Sequence, residues 1–286
     1  MASKRYGHKR LQEFITAIFQ AAGCERREAE IVSDHLVQSN LTGHDSHGVI
    51  RCPTYVQWLR EGRLLPNQQL EVVFENETIA VVDGRLGMGQ AMAQQAMQLG
   101  IQKSRGSGIA VIALRNSGHV GRIGHWAEIL VDAGLISLHF VNTSGLGMLV
   151  APVGGINRRL SANPIAVGIP RENGEPIILD ISTASIAEGK VRVAFNKGVS
   201  VPDGCILDAR GQPTNDPRVF YANPPGAILP FGGHKGYGLG IITEILAGAL
   251  TGGGCSMPGK ARMEQGMFSI LLDPARFQLP EFDEEV

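Results

Sequence analysis

Neither sign of charge prevails in this chain: 26 lysines and arginines face 27 acids, a formal net charge of -1 over 286 residues. With no block of like charges there is no electrostatic footprint for nucleic acid or anionic lipid, so neither is expected as a partner. Cysteine is scarce as well. Cys24, Cys52, Cys205 and Cys255 are scattered without a CxxC spacing, which fits reduced, packed thiols rather than a disulfide framework or a zinc site. No apolar run is long enough to cross a bilayer, because Thr243 and Glu244 interrupt the most apolar glycine-rich stretch. The N-terminal MASKRYGHKR is basic but runs into the amphipathic LQEFITAIFQAAG instead of an apolar signal core, so a cytoplasmic protein is expected. Also missing are GxGxxG after a strand with an acid about twenty residues on, and the Walker GxxxxGK[ST]. GMGQAM at Gly87 fits neither, so a nucleotide would have to be held by another scheme.

What the chain has in excess is glycine, 37 residues, which favours tight turns and close approach of backbone to ligands. Its length allows one large domain or two smaller ones. The richest stretch is Gly43 to Tyr55, GHDSHGVIRCPTY, which gathers His44, Asp45, Ser46, His47, Arg51 and Tyr55. If it is helical from His47, positions four apart stack, and His47, Arg51 and Tyr55 form one polar stripe. Arginine offers a planar fork that matches a carboxylate, and histidine exchanges a proton near neutral pH. That combination points to a site for a small organic acid. Pro53 implies a kink, or a helix that only begins there. The alternative is a surface turn before a capped helix, with Asp45 or Ser46 as the cap.

Apolar spacing predicts helices over 8–23, from Arg26 to Leu41, and from Tyr55 to Leu64. After Pro66 and Asn67 the pattern changes, and LEVVFENETIAVVDG reads as two short strands with a turn at Glu75 to Glu77. An Ala- and Gln-rich helix from Gly87 to Ser104 precedes a strand from Gly108 to Leu114, and helix followed by strand implies an α/β layer. The division expected is a helical region over 1–68 and an α/β core over 69–286.

Strand ends in such layers line the ligand crevice, which makes His119, in the loop Asn116 to Gly121, a second candidate for chemistry. Its alternative is a loop histidine with a structural hydrogen bond. His125 and His139 fall inside a helix and a strand pattern and read as packing residues. Asn142 to Gly147, NTSGLG, reads as another strand-end loop, able to bring backbone amides to a phosphate or to serve as a plain turn. IILD delivers Asp180 to a strand end and STAS begins a helix; a carboxylate there can orient a histidine, hold a ribose, or only cap that helix. Within 229–240, glycines flank His234 and Lys235 ahead of a helix, an arrangement that suits an anion.

Several of these segments together resemble the type-2 malate and L-lactate dehydrogenases. DSHGVIR, NSGHVGRIGHWAE, LSANP, LDISTASIAEGK, PFGGHKGYGL and LLDPARF carry the resemblance over nearly the whole chain. HDSHG and GHKGYG in this order and spacing are specific together, and the GHDSHG, VGRIGHWAE and PDGC details resemble the hydroxycarboxylate dehydrogenase branch. The family also holds ureidoglycolate and sulfolactate dehydrogenases and Δ1-piperideine-2-carboxylate reductases. The resemblance implies an α/β fold unrelated to Rossmann proteins, a mixed sheet with flanking helices and an N-terminal helical arm, NAD or NADP as cofactor, and a homodimer. By motif it assigns Ser46 and His47 to proton transfer and Arg51 and Tyr55 to the substrate carboxylate. The residue matching His119 carries acid/base chemistry in some members and that matching Asp180 completes a relay in others, so the resemblance leaves the proton donor open between His47 and His119. Thr143, Asp180, Ile181 and Ser182, with His234, Lys235 and Gly236, are the implied dinucleotide contacts; no metal is implied. Relatives continue beyond DPARF with helices that pack on the N-terminal arm, so stability and substrate closure are the properties expected to register the end at Val286.

The expected activity is reversible hydride transfer between nicotinamide and C2 of a small 2-hydroxy or 2-oxo acid. The nearest rival is reduction of a cyclic 2-imino acid by the same site. More distant are a metal-dependent hydrolase built on His44, Asp45, His47 and His119, against which stands the lack of an HExxH spacing, and a ligand-binding protein without turnover.

Overall fold

The computed structural model describes residues 5–145, 147–260, 262–279 and 281–286. The chain opens with helices α1 (His8–Ala21) and α2 (Arg26–Leu41), whose inward faces carry Ile15, Phe19, Val32 and Leu36 at helical spacing. Helix α3 (Cys52–Arg60) follows two 3-10 turns, Asp45–His47 and Val49–Arg51. Pro53 explains where α3 starts: at the first turn its missing N–H is one the helix would leave unbonded anyway. The continuous helical stripe expected from His47 is therefore not formed.

The next strands and helices are β1 (Glu71–Glu75), β2 (Ile79–Asp83), α4 (Gly89–Ser107), β3 (Ile109–Ser117), α5 (Gly124–Asp132), β4 (Ile136–Gly145), β5 (Pro164–Ile169) and β6 (Ile177–Ser182). Beyond them come α6 (Glu188–Lys197), the short strands β7 (Ile206–Leu207), β8 (Pro213–Thr214) and β9 (Ala227–Ile228), α7 (His234–Glu244), a π-turn Ile245–Ala249, and β10 (Met263–Leu272). A last turn, α8, spans Phe282–Glu285.

Seven strands make one sheet in the order β1-β2-β3-β10-β4-β5-β6. Only β2 and β3 pair in parallel, joined by α4; the other pairs are antiparallel. The expectation of a mixed, non-Rossmann sheet with flanking helices and N-terminal helices is met. β10 lies between β3 and β4 and runs against both, so those two point the same way and their ends emerge side by side. Gln265 of β10 faces Ser117 on one neighbour and Thr143 on the other.

The N-terminal helices, α4, α5 and one face of the sheet share one apolar core, with Phe19, Tyr55, Met92, Met97, Leu114, Trp126 and Leu130 among its buried members. A second core, around Val150, Ile186, Val191, Ile206, Phe220 and Ile228, sits under α6 and a three-stranded sheet ordered β8-β7-β9. Two expectations about chain segments change. Asn142–Gly145 is the end of β4 and not a loop, its small polar residues having imitated one; Leu146 lies outside the described residues. STAS is not a helix start either, since α6 begins at Glu188. The cysteines are free thiols, with Cys24, Cys52 and Cys205 buried and Cys255 exposed.

Candidate active site

The turn that carries Ser46 and His47 is clamped by the end of α2. Asn40 Nδ2 donates to Asp45 Oδ1 at 2.5 Å and Asn40 Oδ1 accepts from Val49 N at 2.8 Å. A Cβ at Gly48 would sit 2.2 Å from that Asn40 oxygen, so glycine is required for the clamp to close. Within the turn, Ser46 Oγ lies 3.0 Å from His47 Nδ1, and Arg51 Nε donates to the Ser46 carbonyl at 2.6 Å. Burial pushes His47 down to about 3, and the Arg51 guanidinium, His44 and Arg122 add to the effect.

His119 lies just past β3, and its ring is stacked on that of His47 with centroids 5.4 Å apart and planes 23° apart. Its Nδ1 meets the Tyr55 phenol at 2.5 Å, and Gln90 Nε2 donates to the same phenol oxygen at 3.2 Å. Tyr55 was expected beside Arg51 on the substrate carboxylate; instead it is 1 % exposed, inside the core and committed to His119. Burial, then Arg51 and His47, holds His119 well below its usual range, while burial raises the Tyr55 phenol to about 12.

The loop bearing His119 is tied down through several of its backbone groups. Val120 N donates to Gln265 Oε1 at 2.8 Å, and Trp126 Nε1 donates to Val120 O at 3.1 Å. Arg122 N donates to His35 Nε2 at 2.8 Å, and a Cβ at Gly121 would come within 2.0 Å of that imidazole nitrogen. Gln265 Nε2 also donates to Thr143 Oγ1 at 2.8 Å, so one β10 side chain joins the ends of β3 and β4. His35, Gln90 and Gln265 were not anticipated. No local pattern marks them; only the strand order and the packing of α2 and α4 place them here.

A cleft of about 840 Å³ separates the two cores. Ser46 and His47 line one side, Asp180, Ile181 and Ser182 another, and Gly189 and Lys190 of the first turn of α6 a third. Asp180 Oδ2 accepts from Gly124 N at 2.9 Å, so it caps the start of α5 and not of α6. A Cβ on Gly189 would approach Ser46 Cβ to 2.4 Å, which shows how tightly α6 seats against the histidine turn. Arg51, Tyr55 and His119 stand behind Ser46 and His47 and, like Thr143, His234, Lys235 and Gly236, are not among the lining residues. His234 and Lys235 form the first turn of α7, and Gly236 is needed for packing, since a Cβ there would sit 2.5 Å from Phe231 O and 2.6 Å from Thr183 O. Thr143 is 6 % exposed and held by Gln265.

The cleft suits a nicotinamide dinucleotide in size and chemistry. Ile123, Ile181, Ile186, Val193 and Phe231 offer apolar surface for flat rings. Lys190 and the α6 N-terminus offer positive potential for phosphates, and Asp180 and Ser182 offer polar groups for a ribose. Among the described residues no group of three His, Cys, Asp or Glu side chains is placed to hold a metal ion.

A family model described as malate/L-lactate dehydrogenase matches residues 6–286. The chain belongs to the malate/L-lactate dehydrogenase family. It is 43 % identical over 282 residues to hydroxycarboxylate dehydrogenase B of Escherichia coli, covering 97 % of this chain and 78 % of that protein. It is 36 % identical over 272 residues to an L-sulfolactate dehydrogenase of Methanocaldococcus jannaschii, covering 93 % and 77 %. Among solved structures, a putative malate/lactate dehydrogenase from E. coli superposes with a TM-score of 0.96 at 41 % identity, covering 99 % of this chain and 80 % of that one. A Δ1-piperideine-2-carboxylate reductase from Pseudomonas syringae superposes with a TM-score of 0.87 at 32 % identity, covering 95 % and 82 %. The family assignment makes this chain an oxidoreductase of small hydroxy acids.

Proposed function

We propose that the cleft binds NAD or NADP beside a small 2-hydroxy or 2-oxo acid, with residues 1–68 on the substrate side and 69–286 as the dinucleotide-binding core. One observation carries the reading: Ser46 and His47 share a cleft with Asp180, Ile181 and Ser182, with His119 stacked directly on His47. A bound nicotinamide supplies or accepts the hydride. The chain's own residues bind, orient and exchange the proton. Arg51, fixed through Nε on the Ser46 carbonyl, presents the rest of its guanidinium to a substrate carboxylate and so sets which face of C2 is presented. His47 is neutral in the free protein, ready to take the hydroxyl proton during oxidation, while the neutral His119 ring stacked on it offers a hydrogen bond to the same oxygen. Burial is the main cause that holds both imidazoles down and the Arg51 cation adds to it; a carboxylate paired with Arg51 offsets that cation, which favours a protonated histidine when the substrate is an oxo acid.

The reading includes a homodimer and a cytoplasmic setting. Apolar side chains exposed on the edge strand β1, Val72, Val73 and Phe74, are surface of the kind a subunit interface covers. No helix of the described residues is long and apolar enough to cross a membrane.

The test follows the reduced-nicotinamide absorbance with NADH and NADPH, each against a panel of 2-oxo acids and one cyclic imino acid. Oxidation with an oxo acid supports the reading and selects the cofactor. Turnover with the imino acid alone transfers the site to the reductase chemistry of the P. syringae relative, and silence with every pair overturns the proposal.

A further inference from the structure

Gln90 stands in the first turn of α4 with its side chain fully buried, between Met88 and Met92, which are equally buried. Its Nε2 donates to the Tyr55 phenol, and its Oε1 is buried with no hydrogen-bond partner. An unpaired amide oxygen in a core is costly, and a methionine or leucine would fill the same space without that cost. What glutamine adds is a direction. The phenol oxygen receives an N–H from Gln90, so the phenol's single proton is directed to its other neighbour, Nδ1 of His119. A neutral imidazole carries one proton, and an Nδ1 that accepts leaves that proton on Nε2.

We propose that Gln90 is a positioning residue that, acting through Tyr55, fixes His119 as its Nε2–H tautomer. Tyr55 holds the ring and does not relay through it, because its other neighbour is the Gln90 amide, which has no exchangeable acid proton to pass on. The backbone around His119 does not depend on Gln90. Gly118 N donates to Gly87 O at 3.0 Å, and Gln265, Trp126 and His35 hold Val120 and Arg122. Removing the amide therefore alters the proton's address without releasing the loop. The consequence for catalysis rests on the dehydrogenase reading: the ring nitrogen not engaged by the phenol is the one that presents a donor to the substrate oxygen.

The experiment is long-range proton–nitrogen correlation NMR on protein labelled with 15N histidine, with His119→Asn used to assign the resonances. Wild type is expected to show a bare Nδ1 and a protonated Nε2 for His119. In Gln90→Met the phenol is free to turn, and the pattern should shift toward a mixture containing Nδ1–H; Gln90→Leu serves if the methionine variant does not fold. Turnover of the variant should fall about tenfold in kcat with KM nearly unchanged. A wild-type His119 with Nδ1–H, or the wild-type pattern persisting in both variants, overturns the proposal. The spectrum needs neither cofactor nor substrate, so a wild-type protein without turnover would sink the dehydrogenase reading and leave the tautomer result standing.

Discussion

Tyr55 and His119 are 64 positions apart in the chain, yet the phenol oxygen of one lies 2.5 Å from Nδ1 of the other. Nothing else pairs with the imidazole among the described hydrogen bonds, so the orientation of His119 hangs on this contact and on its stacking with His47. Tyr55→Phe keeps the aromatic ring in the core and deletes only the phenol oxygen. We expect kcat to fall by about tenfold to a hundredfold with KM little changed, within the range that acid/base groups supply. If Tyr55 instead bound the substrate carboxylate, steady-state kinetics would show the loss in KM.

On the proposed reading, replacing either histidine removes a group that meets the reacting oxygen directly, not one that acts through another residue. His47→Ala and His119→Ala should each lower kcat by about a hundredfold or more. Near-wild-type turnover in both variants would end the proposed mechanism. Arg51→Lys keeps the charge and loses the fork, so its principal effect should be a higher KM for the organic acid. An unchanged KM would remove Arg51 from the carboxylate.

The pH profile has a definite sign. Burial and the Arg51 cation place His47 at about 3 in the free protein and hold His119 well below its usual range. For oxidation of a hydroxy acid, kcat/KM should therefore show no loss of a histidine base between pH 7 and 5. A bound carboxylate favours the protonated imidazole, so the pKa seen in kcat should lie above that seen in kcat/KM. A kcat/KM profile that falls through pH 6.5 would show that these imidazoles are not depressed in solution.

How much of this was readable from sequence depends on the range of the interaction. Helices α1 and α2 announced themselves by apolar spacing, and DSHG and NSGH each concentrate unusual side chains within a few residues. The pairings that make those motifs a site are not local. Gln265 meets Val120 across 145 positions because β10 inserts between β3 and β4, and no periodicity encodes that order. Gln90 was invisible for another reason: it is one glutamine in a helix rich in them, and only burial distinguishes it from Gln94 or Gln98. The supposed stripe of His47, Arg51 and Tyr55 failed because Pro53 sets a helix start, turning Tyr55 into the core while Arg51 folds back on the Ser46 carbonyl.

Acid stability should report on a histidine remote from the cleft. His139 in β4 is fully buried, with Nδ1 2.8 Å from Ser269 Oγ and Nε2 unpartnered, and burial lowers it from 6.5 to about 3. Its folded-state pKa lies below the unfolded value, so its contribution is intact above pH 6.5 and is lost as the pH falls from there toward 3. At pH 5 the loss amounts to about 2 kcal/mol for one such group. His139→Asn cannot take up that proton, so urea unfolding at pH 7 and pH 5 should show a smaller drop for the variant by about that amount. Parallel pH dependences would show that His139 is not the group responsible.

Gly189 gives a test in which helix propensity and site geometry predict opposite results. Within α6, alanine is favoured over glycine by about 1 kcal/mol, so on helix formation alone Gly189→Ala should stabilise the protein. The structure opposes this with the Ser46 side chain, since the added Cβ would lie 2.4 Å from Ser46 Cβ, closer than such atoms pack. The strain can be relieved by moving α6 or by moving the turn Asp45–His47, and the turn is held to α2 chiefly by Asn40. A shift of about 1 Å there displaces His47 and Arg51 together and can cost about a hundredfold in turnover. Gly189→Ala should therefore be nearly as stable as wild type to urea while losing most of its kcat/KM. Full activity with raised stability would mean that α6 does not seat against the histidine turn in solution, and the cleft would then have to be placed elsewhere.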